Sequence, residues 1–211
     1  MGYADGRVIA IDLDETCVHY LDALCGELEQ FARETGSDWS DLPFPDTWSL
    51  VEAGWFDSDE DYKDFHAYCV ADGIYSRLEP EPHVAECLWD LHRDGWKIHV
   101  LTSRFVVGEQ NAIVVSDTAT NLDRCGIPYD SITVTEDKRG VIADVYIDDS
   151  PHQISSLANA GRNVIVYTQP YNSGIENECR TLGRAGNWYE VVDIIRDVFD
   201  SPDAPPLARN W

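Results

Sequence analysis

The sequence predicts an α/β fold: a doubly wound, mostly parallel sheet with a small helical cap inserted after the first strand. Three observations predict it. Short, nearly continuous apolar runs recur along the chain, amphipathic helical patterns separate most of them, and one aromatic-rich segment, residues 17–79, interrupts the alternation directly after the first run. Apolar runs of this kind mark parallel strands covered on both faces. Their alternation with helices marks a doubly wound sheet.

Each element follows from its residues. Val8-Ile9-Ala10-Ile11 is the first strand. The segment 17–79 opens with Leu21, Leu24, Cys25, Leu28 and Phe31 at helical spacing, then mixes Pro, Asp and Trp, and holds 11 of the 23 aromatic residues. It is too long for a bare loop, so it reads as a small helical insert packed over the end of the sheet. Most of its aromatics are expected to form the insert's own core. Pro82, Val84, Cys87, Leu88 and Leu91 predict a helix with proline near its first turn, ending at Asp94-Gly95. Residues 98–101 form the second strand. Val115, Ala119 and Leu122 give a helix closed by Gly126, and residues 132–134 and 145–147 give two further strands. Ile154, Leu157 and Ala158 form a helix closed by Gly161, ahead of a strand at 164–167. Asn187-Trp188-Tyr189-Glu190 reads as a capping box for a last helix along Val191, Ile194, Ile195 and Val198. The expected organisation is a core of residues 1–16 and 80–200, a cap of residues 17–79 and a proline-rich tail of residues 201–211.

Charge removes several classes of function. The 211 residues carry 15 Lys plus Arg and 39 Asp plus Glu, a net charge of −24. Gripping a nucleic-acid polymer needs a basic face, and an anionic membrane repels this chain. The charge does not signal disorder, because 44% of residues are hydrophobic and 11% aromatic. Lysine occurs only at positions 63, 97 and 138. A high-salt cytoplasm and a GC-rich genome both favour such a composition, and both readings stay open. Six scattered cysteines without a C-x-x-C pair read as small core residues, not as a zinc or redox site. The chain starts without a basic segment followed by an apolar one, and no apolar run approaches ~20 residues. A cytoplasmic protein is the expectation.

The chemistry concentrates at strand ends. The D-x-D spacing occurs three times, at 12/14, 57/59 and 59/61, no more often than chance allows for 25 aspartates. Position separates them. Asp12 and Asp14 end a buried strand, where α/β sheets place ligands. Asp57-Ser58-Asp59-Glu60-Asp61 lies in the insert and reads as a solvated acidic turn. It lacks the glycine and final glutamate of a calcium loop. Asp148 and Asp149 follow the fourth strand and so share an edge with Asp12. Three or four converging carboxylates repel one another unless a cation joins them, and Mg²⁺ suits hard oxygen ligands. Thr102, Ser103 and Arg104 follow the second strand and Lys138 the third, groups that can hold phosphate oxygens.

This ordered set resembles the haloacid dehalogenase superfamily of phosphotransferases, whose pattern is D-x-D-x-T, a Ser or Thr, a Lys and an acidic pair, each at a strand end. The resemblance implies that Asp12 attacks phosphorus and that Asp14 serves as acid and then base. It also implies that Asp12, Asp14 (through its carbonyl) and the Asp148/Asp149 pair hold Mg²⁺, with Asp149 as the direct ligand. The insert stands where the superfamily's first type of cap sits. Several stretches are similar to the 5′(3′)-deoxyribonucleotidases: Leu78-Glu79-Pro80-Glu81-Pro82, Thr135-Glu136-Asp137-Lys138, Gln169-Pro170-Tyr171-Asn172 and Asn187-Trp188-Tyr189-Glu190. That likeness implies a small phosphomonoester substrate, most simply a (deoxy)nucleoside monophosphate, and a homodimer as in many relatives. It also implies a base stacked on cap aromatics, with Tyr20 as first candidate and Trp48 and Phe105 behind it. Glu15 stands where that family commonly has Gly, and Glu136 where it often has Arg. Rival readings are a phosphatase of sugar phosphates, phosphoproteins (the D-L-D-E-T form also occurs in RNA polymerase tail phosphatases) or nucleic-acid ends, and a non-catalytic binding module.

Overall fold

The computed structural model describes residues 6–36, 42–104, 111–202 and 204–208. Among these residues six strands form one parallel sheet: β1 (Val8–Ile11), β2 (Lys97–Thr102), β3 (Ser131–Val134), β4 (Val145–Asp148), β5 (Val164–Tyr167) and β6 (Gly183–Ala185), in the order β3-β2-β1-β4-β5-β6. The central register pairs Ile11 with Val100 on one side and with Ile147 on the other. Side chains alternate across the sheet. Ile9 and Ile11 face one apolar core with Val100 and Ile147, while Ala10 faces a second with Leu101, Tyr146 and Val166.

Among the described residues six α-helices accompany the strands: α1 (Tyr20–Thr35), α2 (Asp59–Ala71), α3 (Val84–Arg93), α4 (Asn111–Cys125), α5 (Pro151–Asn159) and α6 (Trp188–Phe199). Most start and stop where their residues direct. Asn187 accepts from the Glu190 N–H at the start of α6, and Gly126 takes a φ of 67° after α4. Pro82 stands just ahead of α3, whose N-cap is His83. Cys17, Cys69 and Cys87 are buried. No helix among the described residues is long and apolar enough to cross a membrane.

Two elements differ from the sequence-based expectation. Residues 59–61 of the acidic run 57–61 are the first turn of α2, not part of a free turn. Ser58 accepts from the Asp61 N–H, and Asp59, Glu60 and Asp61 occupy the first helical turn, where the helix dipole stabilises anions. The sheet also has a sixth strand, Gly183-Arg184-Ala185, which lacks an apolar run and forms by pairing with β5.

Between β1 and α3 the chain leaves the sheet. Its two connecting strands run side by side, His19 N–H donating to the Glu79 carbonyl at 2.9 Å and Glu81 N–H to the Cys17 carbonyl at 2.8 Å. Tyr20, Trp55 and Tyr75 are buried in this insert, Phe56, Tyr62 and Phe65 pack against the core, and Phe31, Phe44, Trp48 and Tyr68 are exposed. Trp39 and Phe105 lie outside the described residues.

Candidate active site

The strand order places the site. The winding reverses between β1 and β4, and open α/β sheets bind ligands in the crevice beyond the carboxyl ends at such a point. Asp12 leaves β1 there, Asp148 ends β4 and Asp149 follows. The Asp12 N–H donates to the Ile147 carbonyl at 3.0 Å, locking the two strand ends together. One carboxylate oxygen from each of Asp12, Asp148 and Asp149 lies within 4.8 Å of the others. The three residues are 8%, 2% and 2% exposed.

Lys138 enters this cluster on a single 3-10 turn after β3, started by Asp137, whose carboxylate accepts from the Arg139 N–H. The lysine is 1% exposed. Its Nζ lies 2.8 Å from Asp12 Oδ1 and 2.6 Å from Asp148 Oδ2. Burial opposes the ammonium, but the two carboxylates outweigh it and lift its pKa above the usual lysine range. Burial also pushes Asp12 up to about 6, with Lys138 pulling the other way. Asp149 is pushed well above the carboxylate range by burial and by the charges of Asp12 and Asp148.

The donors of the cluster are all oxygens, and its charge does not close. Three carboxylates against one ammonium leave −3 + 1 = −2 when all are ionised. Asp149 is met by neutral donors: Thr16 Oγ1 at 3.1 Å on Oδ1, and the Tyr171 hydroxyl on Oδ2. Asp148 Oδ1 accepts from the Ser150 N–H at 3.0 Å. A buried, oxygen-only set short of two positive charges fits a small hard divalent cation, so Asp12, Asp148 and Asp149 suit Mg²⁺.

Asp14 faces another partner. Arg104 Nε lies 3.1 Å from both of its carboxylate oxygens and Nη2 lies 2.6 Å from Oδ1. The guanidinium also donates to Thr118 Oγ1 at 3.0 Å and stands 4.2 Å from the centre of the Tyr75 ring. Burial opposes its charge, but Asp14 prevails and keeps its pKa raised. The Asp14 side chain is 26% exposed against 0% for Arg104, so the carboxylate is the end that opens to the cleft. Thr102 ends β2, 1% exposed, its Oγ1 accepting from the Arg104 N–H at 3.3 Å. Ser103 Oγ accepts from Gln153 Nε2 at 3.3 Å.

On the insert side, Tyr20 is 7% exposed and its hydroxyl meets His66 Nδ1 at 2.7 Å, with Tyr75 tilted against it at 6.0 Å. It belongs to the insert's interior. Trp48 is 56% exposed and forms a T-shaped pair with Tyr171 at 5.3 Å, while Phe44 stacks on the same ring at 6.4 Å.

Glu15 and Tyr171 carry contacts that motif reading left without a role. Glu15 has a φ of 56°, in the left-handed region that favours glycine. Its carboxylate accepts from the Leu21 N–H at 2.6 Å, capping α1, whose own N-cap His19 offers no side-chain bond. Burial pushes Glu15 up to about 8. Tyr171 and Asn172 grip Asp149 from the turn after β5, Asn172 Nδ2 donating to the Asp149 carbonyl at 2.8 Å. A polar, aromatic turn at the edge where the acids gather was the available signal.

Comparison with known proteins places the chain. Residues 6–199 match the family model of the 5′ nucleotidase, deoxy (pyrimidine), cytosolic type C protein. A Chlorobaculum tepidum protein named "Putative 5'(3')-deoxyribonucleotidase" is 30% identical over 195 residues, covering 90% of each chain. Among solved structures, a haloacid dehalogenase-like hydrolase from Streptococcus pneumoniae superposes with a TM-score of 0.64 at 15% identity, over 89% of this chain and 97% of that one. The YfnB protein of Bacillus subtilis, a HAD-type chain bound to magnesium, superposes with a TM-score of 0.58 at 13% identity, over 90% and 99%. At such identities the two structures establish the shared fold.

Proposed function

The chain belongs to the 5′ nucleotidase, deoxy (pyrimidine), cytosolic type C family, and from that membership we propose a Mg²⁺-dependent phosphomonoesterase that hydrolyses 5′- or 3′-(deoxy)nucleoside monophosphates through a phosphorylated Asp12. The observation that carries the proposal is the buried cluster of Asp12, Asp148 and Asp149 around Lys138, with Asp14 opening beside it.

In the first half-reaction an Asp12 carboxylate oxygen bonds to phosphorus and the bond to the nucleoside oxygen breaks. Asp14 gives that oxygen its proton. In the second, Asp14 takes a proton from water, the water oxygen bonds to phosphorus, and the bond to Asp12 breaks to release phosphate. Lys138 keeps Asp12 ionised for attack and, with Thr102 and Ser103, holds the phosphate oxygens as charge builds. Arg104 adds positive charge on the leaving-group side while fixing Asp14. Asp12 and Asp149, with Asp148 alongside and the Asp14 carbonyl, would hold a Mg²⁺ ion, which would supply positive charge to offset the dianionic phosphate in an acidic cleft.

Residues 17–79 act as a cap that selects the substrate and excludes water, over a core of residues 1–16 and 80–200. Trp48 offers the open face for a base. Tyr20 shapes the cap wall from inside, and Phe105 follows Arg104 directly in the chain. A net charge of −24 favours a small, cation-neutralised ester over a nucleic-acid polymer. The test is a screen of phosphomonoesters with MgCl₂, comparing wild type with Asp12→Asn. Nucleoside monophosphates are the preferred substrates and Asp12→Asn is inactive. Wild type that hydrolyses none of the panel overturns the proposal.

A further inference from the structure

The turn after β5 is built to hold a side chain still. Gln169 Nε2 donates to the Glu15 carbonyl at 2.7 Å, and Asn172 Nδ2 donates to the Asp149 and Tyr167 carbonyls at 2.8 and 2.7 Å. Arg184 braces Asn172 from β6, Nη1 on Oδ1 at 2.7 Å and Nη2 on the carbonyl at 2.9 Å. The turn thus touches the loops bearing both the D-x-D pair and the Asp148/Asp149 pair. Tyr171 projects from it with two distinct ends. Its hydroxyl donates to Asp149 Oδ2 while Thr16 donates to Oδ1, so the carboxylate is fixed at both oxygens. Its ring lies parallel to Phe44, at an interplanar angle of 11°, and meets Trp48 in a T-shaped pair at 74°. Phe44 and Trp48 are 40% and 56% exposed, so this ring is a main support for two aromatics that the core does not bury.

We propose that Tyr171 is a positioning residue with two tasks: its hydroxyl orients Asp149 for the metal ion, and its ring seats the Phe44–Trp48 loop beside the substrate. The first task rests on the metal-assisted reading above. Metal-ligating carboxylates are held by such outer hydrogen bonds, whose loss costs affinity. The second rests on aromatic contacts alone.

Three variants separate the tasks: Tyr171→Phe, Tyr171→Leu and the double variant Phe44→Ala/Trp48→Ala. Two readouts are taken, MgCl₂ titrated calorimetrically into metal-free protein, and KM for a deoxynucleoside monophosphate at saturating Mg²⁺. Tyr171→Phe weakens Mg²⁺ binding about tenfold and leaves KM within about twofold. Tyr171→Leu weakens Mg²⁺ equally and raises KM about fivefold, the scale of an aromatic pair. The double variant raises KM and keeps wild-type Mg²⁺ affinity. Wild-type Mg²⁺ affinity in Tyr171→Phe overturns the first task, and wild-type KM in Tyr171→Leu overturns the second. If wild type binds Mg²⁺ about tenfold tighter than Tyr171→Phe yet hydrolyses no phosphomonoester, the orienting task stands and the nucleotidase reading falls.

Discussion

The ammonium of Lys138 stands 2.8 Å from a carboxylate oxygen of Asp12, with both residues less than one-tenth exposed. Since Asp148 shares the same Nζ, one lysine holds two of three buried acids. Lys138→Met therefore leaves the carboxylates uncompensated. Removing one partner of a buried pair costs about 3–5 kcal/mol, so metal-free Lys138→Met unfolds at lower temperature than wild type at pH 7.5. Burial raises the pKa values of Asp12 and Asp149 in the folded protein, so their charge destabilises the fold as pH rises through those values. The deficit accordingly narrows as pH falls toward 5. Thermal unfolding in EDTA across that range checks it. A deficit that widens at low pH contradicts it.

Asp14→Asn tests the proton carrier. A nucleoside oxygen needs a proton to leave, whereas nitrophenolate does not. With a nucleoside monophosphate the variant loses about 10²–10⁴-fold in kcat. With p-nitrophenyl phosphate it releases a burst of nitrophenolate, then turns over slowly, because the second step still lacks its base. Stopped-flow absorbance gives the answer. A full steady-state rate without a burst removes Asp14 from the second step.

Trp48→Ala tests where the base lies. Stacking on an exposed aromatic is worth about 1–3 kcal/mol per base. The variant's KM therefore rises at least about fivefold for a nucleotide and little for p-nitrophenyl phosphate. Tyr20→Ala behaves differently: Tyr20 is bonded to His66 inside the insert, so its loss lowers the melting temperature as well. Equal KM changes for both substrates in Trp48→Ala assign that indole to packing.

Glu15→Gln gives a pH signature. Burial raises the Glu15 carboxyl to about 8 in the folded protein, against 4.5 for a free glutamate. Its contribution to stability is complete below pH 4.5 and is lost as pH rises through 8, a change on the order of a few kcal/mol. Glutamine can still accept from the Leu21 N–H and does not ionise. The variant matches wild type in stability near pH 5 and exceeds it at pH 9, as denaturant titration at the two pH values will report. Lower stability than wild type at pH 9 counts against a buried, uncompensated Glu15 charge.

Much of the sheet was legible because its strands are β-branched runs. Asp12 could be told from the aspartates at 57, 59 and 61 because only Asp12 ends such a run. Asp148 and Asp149 followed by the same logic, and Lys138 by its rarity. What escaped was structure set by partners instead of local pattern. Gly183–Ala185 is a strand because β5 offers an edge. Residues 59–61 begin a helix because Ser58 caps it and the helix dipole tolerates their charge. The pairing of Arg104 with Asp14 joins residues 90 apart, and Tyr171 reaches Asp149 across 22. Spacing alone cannot give the direction of either side chain. Glu15 is a similar case. The sequence marks it only by its place after the D-x-D pair, and the φ of 56° and the bond to Leu21 give it a role only in three dimensions.

The central claim is that Asp12 carries the phosphoryl group. The direct measurement is a rapid acid quench of wild type turning over a ³²P-labelled deoxynucleoside monophosphate with MgCl₂, followed by borohydride reduction and peptide mass spectrometry. An acyl phosphate is reduced to an alcohol, so the account predicts label bound to protein and homoserine at position 12, both absent in Asp12→Asn. Sustained hydrolysis with no label on the protein and aspartate intact at position 12, or label on another residue, would contradict it.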